Sequence, residues 1–325
     1  MMLARVAADF YWMGRYVERV EQTARLLEYQ LNRLVDRSVD ELAVGWAAIY
    51  RALGQPPPEA ISGVEEAEAY LIPDAYTLAG NLVEEGAHPD SILSCWRQAR
   101  ENGQRVRAQL PLAIWTRLNQ GYLWMREVDF AREWEQAPTR LTLDIIDRMR
   151  LFAGVVHSTM PRDDAWRFLE LGRFIERAQH QAALLGAWVE FTHARWGVAA
   201  LSWADLLHVC RAYEIYCRRH SMKVRREDVL GFLARDPELP RSLRFSAQRI
   251  EEVLAGIDPL GARYPLEPPH RMALRLTAAI EMDAAGSAEV DSGAFCRAIG
   301  NDTRALHDLV MAAYVNRSLA EEVSA

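Results

Sequence analysis

The stretch YWMGRYVER at residues 11–19 returns as LELGRFIER at residues 169–177. Aligned, the two share Gly-Arg, an aromatic residue, a β-branched residue and Glu-Arg, at a constant offset of 158 residues. Working outward from the first copy, apolar residues fall at 13, 17, 20, 24, 27 and 31, in alternating steps of four and three. That is one stripe of an amphipathic helix. The second copy places Leu171, Ile175, Ala178, Ala182, Leu185 and Val189 at the same spacing. Two long helices carrying the same charged stretch therefore frame the fold.

The rest of the chain reads the same way. LTLDIIDRMRLFAGVVHSTM, at 141–160, is a further helix, and Pro161 separates it from the second copy. No run alternates apolar and polar residues between hairpin turns, so the expected class is all-α. Breaks are expected at 54–63, 257–270 and 283–293, with Asp291 or Ser292 capping the last helix.

Two looser pairs follow the opening repeat in the same order. Trp46 matches Trp203, and Pro89 with Ser91 matches Pro240 with Ser242. The expectation is a tandemly duplicated multi-helix bundle with pseudo-two-fold symmetry, forming a single domain over 1–325. Repeat one covers about 1–125 and repeat two about 160–256, followed by a C-terminal helical extension over about 268–325.

The chain has 325 residues, half of them hydrophobic and 26% charged, as in a folded globular protein. A net charge of −7 argues against general nucleic-acid binding. No apolar run approaches the roughly 18 residues that span a bilayer, so no membrane association is expected. The first residues lack a basic region followed by an apolar block, and a cytoplasmic location is the expectation. Lys223 is the single lysine, in an exposed loop, and no phosphate-cradling Gly-Lys-Ser/Thr loop is present. Cys95, Cys210, Cys217 and Cys296 make no metal-binding pair. His208, Cys210, Cys217 and His220 would point in different directions along a helix, and neither metal nor cofactor is expected. His180 follows Glu176 by four residues, whereas ferritin-like carboxylate sites place the histidine three residues after the glutamate.

Arg15, Glu18, Arg19, Glu21 and Arg25 lie within reach of one another on the first helix, and Arg173, Glu176 and Arg177 repeat part of the set. On an exposed helix such pairs contribute only about 0.3–0.5 kcal/mol each. Arg19 borders the apolar stripe, however, so burial of the cluster is expected. Two readings follow. One is an Arg–Glu lattice where the long helices cross, which suits the planar guanidinium fork. The other is an arginine-lined anion or carboxylate site.

Four separated stretches then carry a resemblance. YWMGRYVERVEQTARLL, ARENGQRVRAQL followed by Trp115 and Asn119, RDDAWRFLELGRFIERA, and DVLGFLARDPELPRSLRF together resemble the bacterial alpha-E family. The resemblance covers essentially the whole chain and implies an all-helical domain. It also implies company: a circularly permuted ATP-grasp ligase and, often, a transglutaminase-like protein, in an ATP-dependent amide- or peptide-forming system. Carried over residue by residue, it adds Arg100, Glu101, Asn102, Arg107, Trp115 and Asn119, then Arg162, Asp163 and Trp166, to the candidate site. The chain departs from the family at Gln179, Gln181 and Ala183, where an acid, Thr and Arg are usual, and at 111–114, before Trp115. If one copy contacts ligand, the first is expected to.

Three functions fit these residues. The chain could be a binding or docking subunit of the ligase. It could be an enzyme using Glu18 or Glu21 as general base. Or it could be a structural helical protein without a small-molecule site.

Overall fold

The computed structural model describes residues 2–55, 71–84, 88–192, 201–259, 267–282 and 291–316. Among these the chain is all-helical: α1 (Ala4–Asn32), α2 (Val39–Ala52), α3 (Leu71–Val83), α4 (Ile92–Arg105), α5 (Leu112–Arg126), α6 (Phe130–Gln136), α7 (Pro138–Thr159), α8 (Asp164–Phe191), α9 (Trp203–Val209), α10 (Tyr213–Arg219), α11 (Arg226–Arg235), α12 (Leu243–Ile257), α13 (Pro268–Met282) and α14 (Ser292–Val310). No helix among them is long and apolar enough to cross a membrane.

The two repeated stretches are α1 and α8, and these helices pack along each other at the centre. All twelve residues of the two expected stripes are buried. The close approach has a simple cause. A Cβ on Gly14 would lie 2.1 Å from the Leu169 carbonyl oxygen, and a Cβ on Gly172 would lie 2.0 Å from the Tyr11 carbonyl oxygen. Only glycine lets the two backbones meet there. The contacts are reciprocal, since residues 11 and 14 lie 158 positions before 169 and 172.

The other helices are laid around this pair. α4 and α7 pack on α1, while α12 and α14 pack on α8; α5 joins α4 to α7, and α13 joins α12 to α14. α2, which follows α1 in sequence, packs chiefly on α8, and α9 contacts α1. Side-chain caps fix several helix starts. Ser91 accepts from the Ser94 N–H, Ser242 from Phe245, Asp163 from Trp166, and Asp291 from Gly293 and Ala294.

The helical settings of Trp46 and Trp203 differ. Trp46 is buried inside α2, whereas Trp203 opens α9. Capping boxes set these starts, Ser38 with Glu41 and Ser202 with Asp205, and they put the two tryptophans at different depths in their helices. In the C-terminal region from 268, Leu276, Ile280, Ile299 and Leu306 are buried in the common core. Of the expected breaks, residues 56–63, 260–266 and 283–290 lie outside the described residues.

Candidate functional site

The repeated charges meet across the helix crossing, each copy serving the other. Glu18 of α1 accepts from Arg177 of α8 through both oxygens, at 2.8 and 2.7 Å. Arg173 stands 3.7 Å away, Arg241 3.9 Å, and Gln22 donates at 2.8 Å. In return Glu176 of α8 accepts from Arg15 Nε at 2.5 Å and from Arg19 Nε at 2.7 Å. The bidentate geometry suits a guanidinium fork and a carboxylate.

These groups are shielded, as the stripe implied. Glu18 is 1% exposed, Arg15 5% and Glu176 7%. Burial alone would raise a carboxyl's pKa, but the facing arginines outweigh it. Arg177, Arg173 and Arg241 hold Glu18 far below the usual carboxylate range. Arg15 and Arg19 bring Glu176 down to about 2. Both are fixed carboxylates at neutral pH.

The two clusters differ in what lies beyond them. Around Glu18 the space is filled. Arg241 pairs with Glu21, Arg25 donates to the Val209 carbonyl at 2.8 Å, and Arg177 donates to the Pro240 carbonyl at 3.2 Å. Burial, with repulsion from Arg241, lowers the Arg25 pKa to about 9. Around Glu176 the structure opens into a groove of about 860 Å³. Its inner end is formed by Arg19, Asp90, Glu176, Gln179 and His180, and its walls by α8, α14 and the C-terminal end of α2. Arg19 also pairs with Asp90. Arg15 donates to Gln179 at 2.6 Å and to the Tyr11 hydroxyl at 3.3 Å. The Tyr11 hydroxyl also hydrogen-bonds His307 Nδ1, 2.7 Å away. Burial holds His180 neutral, with a pKa near 3, and its Nε2 has no partner.

The remaining candidates do structural work elsewhere. Arg100 donates to Asn119 at 2.7 Å and lies over the rings of Trp115 and Tyr122, clamping α4 to α5. Arg107 also faces Trp115 and donates to the Leu110 carbonyl at 3.3 Å. Glu101 pairs with Arg97 at 3.3 Å, and Asn102 accepts from Arg105. Arg162 donates to the His157 and Met160 carbonyls at 2.7 and 2.9 Å, closing the end of α7, and stacks on Trp166. Asp163 starts α8. Of the sequence candidates, only Arg19 and Glu176 line the groove.

Sequence reasoning missed Asp90, His180, Arg241 and His307 as members of the two clusters. Asp90 and Arg241 each precede a capping serine, Ser91 and Ser242, so the local pattern marked a helix start rather than a charge partner. The departures at Gln179 and Ala183 did carry a signal. They stand 158 positions after Glu21 and Arg25, the side chains that help close the other cluster, and their smaller or neutral groups leave the groove open. The copy with the intact motif is thus the filled one. Among the described residues no group of three or more His, Cys, Asp or Glu side chains gathers as metal ligands. Cys95 and Cys296 are buried thiols whose pKa values are pushed up to about 12.

Paired glutamate–arginine helices crossing at the centre of an all-helical bundle define a class of domain. The chain belongs to the Alpha-E family, described as a predicted alpha-helical domain with a conserved ER motif, which it matches over residues 2–315. Glu18-Arg19 and Glu176-Arg177 are the Glu-Arg pairs of this chain. The uncharacterized protein Rv2567 of Mycobacterium tuberculosis is 28% identical over 265 residues, covering 76% of this chain and 29% of that protein. The uncharacterized protein Mb2597 of Mycobacterium bovis is 27% identical over 265 residues, with the same coverage. The chain therefore spans under a third of the length of these relatives. No solved structure matches it.

Proposed function

We propose that this chain is a binding subunit of an ATP-grasp amidoligase system, holding the acceptor substrate in the groove between α8 and α14. The observation that carries the reading is the groove itself. Its volume of about 860 Å³ falls in the range of small-molecule sites, and a fixed ion-paired cluster forms its inner end. The chemistry of the cluster weighs against a stand-alone acid–base enzyme. A general base works best with a pKa near the operating pH, whereas Glu176 sits near 2 with both oxygens engaged, and Glu18 is lower still and fully enclosed. Fixed charges of this kind position a ligand; they do not shuttle protons. The single lysine stands in an exposed segment, and the ATP chemistry is assigned to the partner.

The relatives support a role in company, since each contains much more chain than this domain. A transglutaminase-like protein is the second expected partner, and the system is placed in the bacterial cytoplasm. We further propose that the fold arose by tandem duplication, its halves related by a pseudo-two-fold axis near Gly14 and Gly172. On this reading α13 and α14 complete the second copy, since they pack on α12 and α8 as α5 and α7 pack on α4 and α1.

The test is ADP release and amide product from the ATP-grasp ligase of the same organism, with and without this chain. Both should rise several-fold when the chain is added. Equal turnover in its absence would remove the reading.

A further inference from the structure

We propose that the inner end of the groove binds the ammonium of a primary alkylamine, held by the Thr23 hydroxyl, the Gln55 side-chain carbonyl and the Asp90 carboxylate. The inference deepens the acceptor-holding reading. It rests on that reading only for preferring an amine, the group that amide formation consumes, over another donor-rich ligand.

Three elements bring these side chains to one groove. Arg19 pairs with Asp90, which precedes the Ser91 cap of α4, and Thr23 follows Arg19 by about one turn of α1. Gln55, just past the end of α2, meets Asp90 through His88. The ring's Nδ1 is 3.1 Å from the Asp90 backbone nitrogen and 3.4 Å from Gln55 Nε2. A backbone N–H can only donate, so Nδ1 accepts, and the Gln55 group facing it is the amide NH2. The Gln55 carbonyl oxygen is left over.

Unused hydrogen-bonding capacity carries the inference. Thr23 is only 2% exposed and Gln55 only 9%. Among the described residues the Thr23 hydroxyl nevertheless makes no hydrogen bond, and the Gln55 carbonyl oxygen receives none. Other buried helical threonines bond back to their own helix, Thr303 to the Ile299 carbonyl at 3.0 Å and Thr142 to that of Thr139 at 2.7 Å. The Thr23 and Gln55 oxygens are not sealed in the protein; they open on the groove. Asp90 gives one carboxylate oxygen to Arg19, and no donor reaches the other. A nearly enclosed polar group without a partner is destabilising until a ligand bonds it.

These oxygens lack donors. The ions already balance, Arg15 and Arg19 against Glu176 and Asp90, so there is no surplus cation for an anion to meet. A primary ammonium carries three N–H donors on one atom, and its bond to a carboxylate is charge-assisted. Beyond the polar end, Ala182, Ala183, Gly186 and Ala187 of α8 form an apolar wall roughly 8 Å long, against which an alkyl chain can lie. Held in this way the amine is protonated and not nucleophilic. The groove stores the amine and does not activate it.

The probe is pentylamine, titrated calorimetrically at neutral pH into the purified chain without any ligase. The expected result is saturable one-to-one binding, at least tenfold tighter than for two analogues. Pentanol keeps the chain but lacks the charge; pentyltrimethylammonium keeps the charge but lacks every N–H. Thr23→Val should weaken pentylamine binding at least fivefold, with a melting temperature at or above wild type, because the hydroxyl bonds nothing in the free protein. Asp90→Asn should weaken binding at least tenfold. Equal affinity for pentylamine and either analogue would overturn the proposal, as would no saturable heat in the millimolar range or undiminished binding by Thr23→Val. The ligase plays no part in this measurement. A chain that binds pentylamine but leaves ligase turnover unchanged would refute the subunit reading alone.

Discussion

Gly14 and Gly172 set the distance between α1 and α8, since each faces a backbone carbonyl that cannot move aside as a side chain can. Gly172→Ala should therefore cost about 3 kcal/mol or more by urea unfolding, at the upper end for overpacking. A loss under about 1 kcal/mol would mean that the helices separate easily. At the same scale, His180 makes stability depend on pH. Its pKa near 3 in the fold lies below the ordinary histidine value of about 6.5, so between these values the unfolded chain binds a proton that the folded chain does not. Stability falls as pH falls through this window, with a slope of up to about 1.4 kcal/mol per pH unit for one histidine. His307, lowered to about 4 but less deeply buried than His180, adds less. Below about 4.5 the depressed carboxyls of Glu18 and Glu176 extend the loss to lower pH. Unfolding free energy at pH 7, 6 and 5 checks the sign, and His180→Gln should flatten the slope. Constant stability from pH 7 to 5 would contradict a buried neutral ring.

At the scale of the helix, ends and faces carry the argument. Asp163 and Arg162 form one joint. The first accepts from the Trp166 N–H to start α8, and the second closes α7 and stacks on Trp166. Asp163→Ala should cost about 1 kcal/mol, read as a lower urea midpoint with an unchanged slope. No measurable loss would show that the cap is idle. The apolar stripes of α1 and α8, the break at Pro161 and the Asp291 cap were all legible in the sequence, because each is a local rule of spacing or side-chain reach. The differing settings of the two tryptophans were not legible. A residue type repeated at a similar offset says nothing about depth in a helix, which Ser38 and Ser202 decide. The partners of the charged face were also hidden. Periodicity along α1 shows which face is apolar, but only the crossing with α8 shows that Glu18 meets Arg177 and not solvent.

Across the whole molecule, two identical chemistries have different surroundings. The Glu18 cluster is enclosed by Arg241, Glu21 and Arg25; the Glu176 cluster opens into the groove. The sequence pointed to the first copy, whose motif is intact. The long charged side chains of that motif fill the space around Glu18, while Arg19 of the same copy lines the groove beside Glu176. The repeated Glu-Arg motif forms a buried lattice that joins α1 to α8. The urea unfolding free energy of Glu18→Gln tests it most directly. The variant keeps the shape and leaves Arg173, Arg177 and Arg241 facing a neutral amide. Loss of one partner from a buried ion cluster costs about 3–5 kcal/mol, and that is the expected drop. A Glu18→Gln protein within about 0.5 kcal/mol of wild type would contradict the lattice, since surface charges alone show so small an effect.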